Sequence, residues 1–402
     1  MSAAKKSEAS SFEIPANHPW ASAWKIFAGV AVAGLGMAAA GMGGDTKRLA
    51  FAYLAAFVWG LTISLGCLFF VMVQHITNAG WSVVVRRVAE QGMSALPVFG
   101  VLFLPIVALK DQLYSVWMGH DAHANHAIHA KAGYLNFNFW IIRAVVYFAV
   151  WTFLSFRLGS LSRQQDTSKD PALTGKMVTL SAVGIPLFAL TITFAGIDWV
   201  MSLDPLWYST MFGVYMFAGA VVSMFALLNL VLSRADAAGL VKGLVTVEHF
   251  HDLGKFMFAF TFFWGYIGFS QYMLYWYANI PEETAFFLHR GQDGWELPSW
   301  ILVFGHFAAP FLLMLSRHSK RTFPAIRQTV AAWIILVHFL DIYWLVMPNV
   351  DHHFHFNPLA DLGCMLFVGG VLMAVLFNRL AAAPIIPAGD PRLGRSLRFE
   401  NA

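Results

Sequence analysis

Arg143, Gln271, His306, His338 and Asp341 stand inside long apolar runs, where an ionisable or amide group must find a partner or a task. Counting about 1.5 Å per residue along each run puts all of them roughly 9–13 Å below one set of helix ends. His338 and Asp341 are three residues apart and so share a helical face. An arginine–aspartate pair with two imidazoles and an amide can hold a proton and pass it on. The same set can equally be a fixed ion pair that holds helices in register.

A second polar group opens the stretch HFHDLGKFMFAFTFFWGYIGFSQYMLYWYANIPEET, residues 249–284. His249, His251, Asp252 and Lys255 fall in its first turns, just after Glu248, and His75 closes an earlier apolar run. Spacings of three and four let Asp252, His251 and Lys255 cluster on one side. A carboxylate in a first helical turn also suits the helix dipole. The group reads either as a capped, solvated helix start or as a port for protons on the helix that carries Gln271. Between Phe256 and Phe269 that helix offers only Thr261 and Tyr266, so water or neighbouring helices must bridge the gap. Phe262, Trp264 and Tyr266 could also wall a quinone site, although such rings more commonly serve packing.

Other chemistry finds less support. His120, His123, His126 and His129 recur every third residue, and His352, His353 and His355 crowd a later loop. Neither tract has a common zinc spacing, and no cysteine assists, so both read as exposed loops that contact partners. Cys67 and Cys364 are the only cysteines, which excludes a four-cysteine iron–sulfur site and a C-x-x-C-H haem attachment. A bis-histidine haem would have to use His306 and His338, for which Asp341 is the simpler partner. No catalytic residue, metal site or resident cofactor is expected, and a quinone (menaquinone included) is the one small molecule left open.

The elements that must position these groups follow from composition. The chain is 402 residues, 58% hydrophobic and 12% charged, too few charges to cover a soluble surface. It reads as an all-α polytopic membrane protein with ten transmembrane helices, near 21–42, 49–73, 92–110, 136–157, 177–195, 206–232, 253–278, 299–316, 328–347 and 358–378. Residues 21–378 then form the membrane domain, with 1–20 and 379–402 as tails. Of the 26 lysines and arginines, only Lys47, Arg48, Lys110, Lys131 and Arg290 fall in loops on one side. Lys25, Arg143 and Lys255 lie within spans, and the others lie opposite, which places both termini in the cytoplasm of a multi-pass protein. These loop charges do not form a nucleic-acid patch. Gly29, Ala33, Gly34, Gly36, Ala40 and Gly41 predict that the first span packs closely on a neighbour. Pro97 and Pro105 predict a bent third span, and Asp204 with Pro205 predicts the start of the sixth.

Several segments resemble the second NrfD-like membrane subunit (ActF, or quinone-binding subunit 2) of alternative complex III, the bacterial quinol:cytochrome c oxidoreductase. They are DWVMSLDPLWYSTMFGVYMFAG at 198–219, FHDLGKFMFAFTFFWGYIGFSQYMLYWYANIPEET at 250–284, PFLLMLSR at 310–317 and DIYWLVMP at 341–348. The resemblance implies a polysulfide-reductase-like fold of two four-helix bundles, about 49–195 and 206–347, flanked by helices 1 and 10, in a bacterial inner membrane. It implies a sister quinol-oxidising subunit, a periplasmic iron–sulfur protein, multihaem and monohaem c-type cytochromes, small membrane subunits and lipid. Haem c and iron–sulfur clusters would then sit in those partners. The implied role is structural and proton-conducting within an electron-transport complex of the respiratory chain. The readings left beside it are direct quinone binding and a stand-alone ion-coupled secondary transporter.

Overall fold

In an apolar medium a backbone must close its hydrogen bonds within its own elements. The computed structural model describes residues 12–119, 125–351 and 353–401, and every regular element among them is helical. In chain order these are α1 (Pro19–Gly41), α2 (Thr46–Ile76), α3 (Val83–Met93), α4 (Leu96–Leu102), α5 (Leu104–Ala108), α6 (Phe137–Ser168) and α7 (Ala172–Trp199). There follow α8 (Phe212–Ala237), α9 (Val247–Ala278), α10 (Pro281–His289), α11 (Glu296–Ile301), a π-helical turn (Leu302–Ala308), α12 (Ala309–Leu315), α13 (Pro324–Val346) and α14 (Pro358–Ala381). Very short helices join them.

Among the described residues, nine helical segments are long and apolar enough to cross a membrane, and the chain is a multi-pass membrane protein by that measure. The α9 helix is not among the nine despite its 32 residues. Its tyrosines, tryptophans, Ser270, Gln271 and charged foot dilute the apolar run.

The α2 and α8 helices are apolar all round, as a helix at the centre of a bundle must be, and both are buried along most of their length. They meet where Gly66 lies against the Ala220 backbone and Met224. Of the small residues expected to pack α1 on a neighbour, Gly34 and Gly41 do so, whereas Gly29 and Gly36 meet open space and Ala33 and Ala40 are exposed. Gly34 faces the backbone of Gly363, Leu366 and Phe367 on α14, Gly41 faces Leu359 and Ala360, and Gly370 faces Phe27 and Ala31. Trp20 at the start of α1 packs on Phe377 near the end of α14, ring centroids 5.0 Å apart. The two helices are therefore antiparallel and bring the start of α1 and the end of α14 to one face, here the terminal face.

The third span breaks at both prolines, in keeping with the expected bend: it is interrupted at Ser94–Ala95 and at Phe103, and Pro97 and Pro105 each open the next segment where no N–H is needed. Two expectations need correction. Asp204 does not cap a transmembrane helix. Its carboxylate closes a turn by accepting from the Leu206 and Trp207 amides, and α8 begins only at Phe212. The carboxy-terminal segment is not a free tail. Ile385 N donates to Phe12 O (2.7 Å), and Asp390 is buried between Arg86 (2.7 Å) and Arg392 (2.9 Å). Ser396 Oγ donates to Trp81 O (2.7 Å), and Asn401 reaches Glu248 at the start of α9.

Beneath this strap Arg86 and Arg87 share Glu90, and Arg87 also pairs with Asp166. Burial alone would raise the Asp390 carboxyl, but the hydrogen bonds from Arg392 and the charge of Arg86 hold it well below the usual carboxylate range. A carboxylate depressed in this way stabilises the fold above its unfolded pKa, and that contribution is lost as pH falls through the folded one. The strap should therefore resist trypsin at Arg392 and Arg395 at neutral pH, where Asp390 is ionised, whereas Asp390→Asn should be cut under the same conditions. Packing gives a second expectation. Gly34→Leu or Gly363→Leu should cost about 1–3 kcal/mol in detergent melts, whereas Gly36→Leu, which meets open space, should be neutral.

Candidate functional site

Depth along each helix fixes which polar groups can meet, and helix rotation decides which of them do. His306, His338 and Asp341 converge between α8, α9, the π turn and α13, and all are buried. Asp341 Oδ1 accepts from the Tyr215 hydroxyl, and Oδ2 accepts from Trp264 Nε1 (3.0 Å). His338 Nδ1 lies 3.7 Å from Asp341 Oδ2, on the shared face that their spacing requires.

The far nitrogen of His338, Nε2, is 2.9 Å from Thr62 Oγ1 on α2. That hydroxyl donates its one proton to Trp59 O (2.8 Å), so it accepts from His338. A neutral His338 therefore carries its proton on Nε2 and turns the lone pair of Nδ1 towards Asp341. Nδ1 has no hydrogen-bond partner, and neither nitrogen of His306 has one. The His306 ring lies with its centroid 3.9 Å from Trp264 and 6.2 Å from His338. It sits in the π turn, a local widening that re-aims a side chain and recurs at functional sites. Gly219 of α8 backs the pair. A Cβ there would lie 2.8 Å from His338 Cε1, so any larger residue displaces the imidazole.

Arg143 and Gln271 do not join this group. Arg143 makes a two-pronged ion pair with Asp198 at the end of α7 (2.7 and 2.9 Å), and Tyr147 donates to the same carboxylate (2.7 Å). The guanidinium also lies over the rings of Tyr134 (3.8 Å) and Phe139 (4.3 Å), which fixes it in place. Gln271, two turns along α9 from Trp264, accepts from Ser209 Oγ (2.8 Å). The proposed aromatic wall also divides. Trp264 points inward, whereas Phe262 and Tyr266 are 51% and 57% exposed on the opposite side of α9. That leaves Thr261, whose hydroxyl is spent on Met257 O (2.8 Å), as the inward polar group in mid-helix.

In the terminal-face group the three-residue spacing does bring Asp252 and Lys255 together. Lys255 pairs with Asp252 (2.5 Å) and contacts Asn401 (3.3 Å), while Glu248 pairs with Arg321. His249 closes a capping box with Thr246, its Nδ1 accepting from Thr246 N (3.0 Å), and its Nε2 approaches Ser396 Oγ (3.4 Å). His251 and His75 are buried, and neither ring nitrogen of His75 is hydrogen-bonded. Asn401 thus joins the Asp252–Lys255 pair to Glu248 and Arg321 in one network, and the histidines lie outside its hydrogen bonds. Of the histidine tracts, His120, His123 and His352 lie outside the described residues. His126 and His129 bound one short helical turn, His353 lies 3.9 Å from Asp293, and His355 lends its carbonyl to Arg48 (2.7 Å). Among the described residues no group of three His, Cys, Asp or Glu side chains is placed to hold a metal.

Compared with known proteins, the chain matches no family model and no curated protein.

The arginine pair gives a direct test of the static site. Arg143→Leu should cost about 3–5 kcal/mol because it strands the Asp198 carboxylate. Arg143→Leu combined with Asp198→Leu should recover most of that loss in a chemical-denaturation cycle.

Proposed function

We propose that this chain is a membrane subunit of a bacterial quinol:cytochrome c oxidoreductase of the alternative complex III kind, and that it carries protons through Asp341. The observation that carries the proposal is a missing cation. Glu90, Asp198, Asp252, Asp361 and Asp390 are buried acids, and each pairs with a lysine or arginine. Asp341 is as deeply buried and among the described residues has no such partner, only Tyr215, Trp264 and His338. A carboxylate without a counter-ion in an apolar interior is costly. Two lone pairs facing each other, on Asp341 Oδ2 and His338 Nδ1, repel. A proton on either group relieves both penalties, and His306, with two unbonded nitrogens, is the next imidazole along. The two atoms stand 3.7 Å apart, so a small closing movement brings them within proton-transfer reach while the outer hydrogen bonds to Tyr215, Trp264 and Thr62 stay in place.

The remaining parts of the reading rest on the sequence. The α9 helix counts as a tenth crossing, because its 32 residues reach about 48 Å at 1.5 Å per residue, longer than the apolar core of a bilayer. The second to fifth spans, led by α2, and the sixth to ninth, led by α8, form two four-helix bundles flanked by α1 and α14. The distribution of lysine and arginine makes the terminal face cytoplasmic. The resemblance of residues 198–219 and 250–284 supports a sister NrfD-like subunit, an iron–sulfur protein and c-type cytochromes as partners, which would hold the redox centres.

The test uses the complex isolated with its partners and sealed into vesicles. Asp341→Asn should reduce proton movement to the leak rate while quinol oxidation continues, and Asp341→Glu should restore part of it. An unchanged ratio of protons to electrons in Asp341→Asn rules out this role.

A further inference from the structure

The break that Pro97 and Pro105 impose leaves an open groove between α4–α5 and α6, with a volume of about 550 Å³. Gly100, Leu104 and Val107 line one side, and Ile141, Val145 and Phe156 mark the length of the other. Thr152 alone among the lining residues has a polar side-chain atom. From Ile141 to Phe156 the groove follows α6 for about 22 Å at 1.5 Å per residue. That length and the almost wholly apolar lining match a single extended hydrocarbon chain.

Its mouth on the face opposite the termini is charged. Lys110 stands one turn beyond Val107, with Nζ 5.2 Å from the Phe137 ring, itself one turn before Ile141. Lys110 Nζ also meets Asp111 Oδ1 (2.6 Å), and the Asp111 side chain is 73% exposed. A cation and an anion side by side at the end of an acyl-sized groove complement a headgroup that carries both charges.

We propose that this groove binds one acyl chain of a zwitterionic, amine-bearing phospholipid, its phosphate on Lys110 and its ammonium on Asp111. An anionic lipid would satisfy Lys110 and meet repulsion from Asp111, and an isoprenoid tail would leave both charges unused. The site lies on α4–α6, away from Asp341, so it stands or fails independently of the proton reading.

The experiment is lipid analysis by native mass spectrometry of the purified protein after detergent washing, with added phosphatidylethanolamine or phosphatidylglycerol as probes. The wild type should retain phosphatidylethanolamine in preference to phosphatidylglycerol. Ala149→Phe, which fills the groove from α6, should lower that retention by roughly tenfold. Asp111→Ala, an exposed change that keeps the fold, should abolish the preference between the two lipids. Equal retention by Ala149→Phe, a wild-type preference for phosphatidylglycerol, an unaltered preference in Asp111→Ala, or a retained isoprenoid quinone in place of phospholipid would each overturn the proposal.

Discussion

A carboxyl group cannot stay charged in an apolar bundle without compensation, and this constraint organises the structure. The molecule meets it with arginine almost everywhere. Arg48 holds Asp361 where α2 meets α14, Arg143 holds Asp198 where α6 meets α7, and Arg86 with Arg392 holds Asp390 beneath the carboxy-terminal strap. Each pair joins segments distant in sequence, so each works as a fixed point of assembly. Asp341 is the exception. Its neighbours are neutral hydrogen-bond donors and an imidazole, which can share its proton without cancelling its charge permanently.

That contrast separates groups that look alike in sequence. Asp198 and Asp341 both lie near the same end of a long apolar helix, and both accept from a tyrosine hydroxyl. Asp198 receives a guanidinium as well and is locked. Asp341 receives an indole N–H and is not. The surrounding architecture serves this difference. Gly219 leaves room for His338, Thr62 fixes its tautomer from α2, and the π turn delivers His306. The central helices α2 and α8 thus support the site as well as the fold.

Much of this was legible in the sequence, and the physical reason is helical rise. Residue count along an apolar run gives depth, which is why His306, His338 and Asp341 could be placed together. Rotation about the helix axis and the offsets between helix ends leave no such trace. Arg143 shares their approximate depth and still belongs to another site, because Asp198 lies on the last turn of α7, beyond the boundary at 195 that apolarity alone suggests. Tyr215 and Thr62 escaped notice, and Trp264 stood out only as a possible quinone wall, since each reads as an ordinary core residue until a buried acid or imidazole is found beside it. Gly219 could have been noticed only as one more small residue in α8. The strap was missed for the opposite reason. Its charges resemble a solvated tail, and only its partners Arg86, Asp166 and Glu248 show that it is docked.

If Asp341 carries protons, its carboxyl gains and loses a proton in place. Infrared difference spectroscopy of the reconstituted complex during turnover reads this directly, through the carbonyl stretch of a buried carboxylic acid. Such a band should appear and decay with turnover, shift in deuterated water and be missing in Asp341→Asn. No carboxylic-acid band during turnover, or one that persists unchanged in Asp341→Asn, would contradict it.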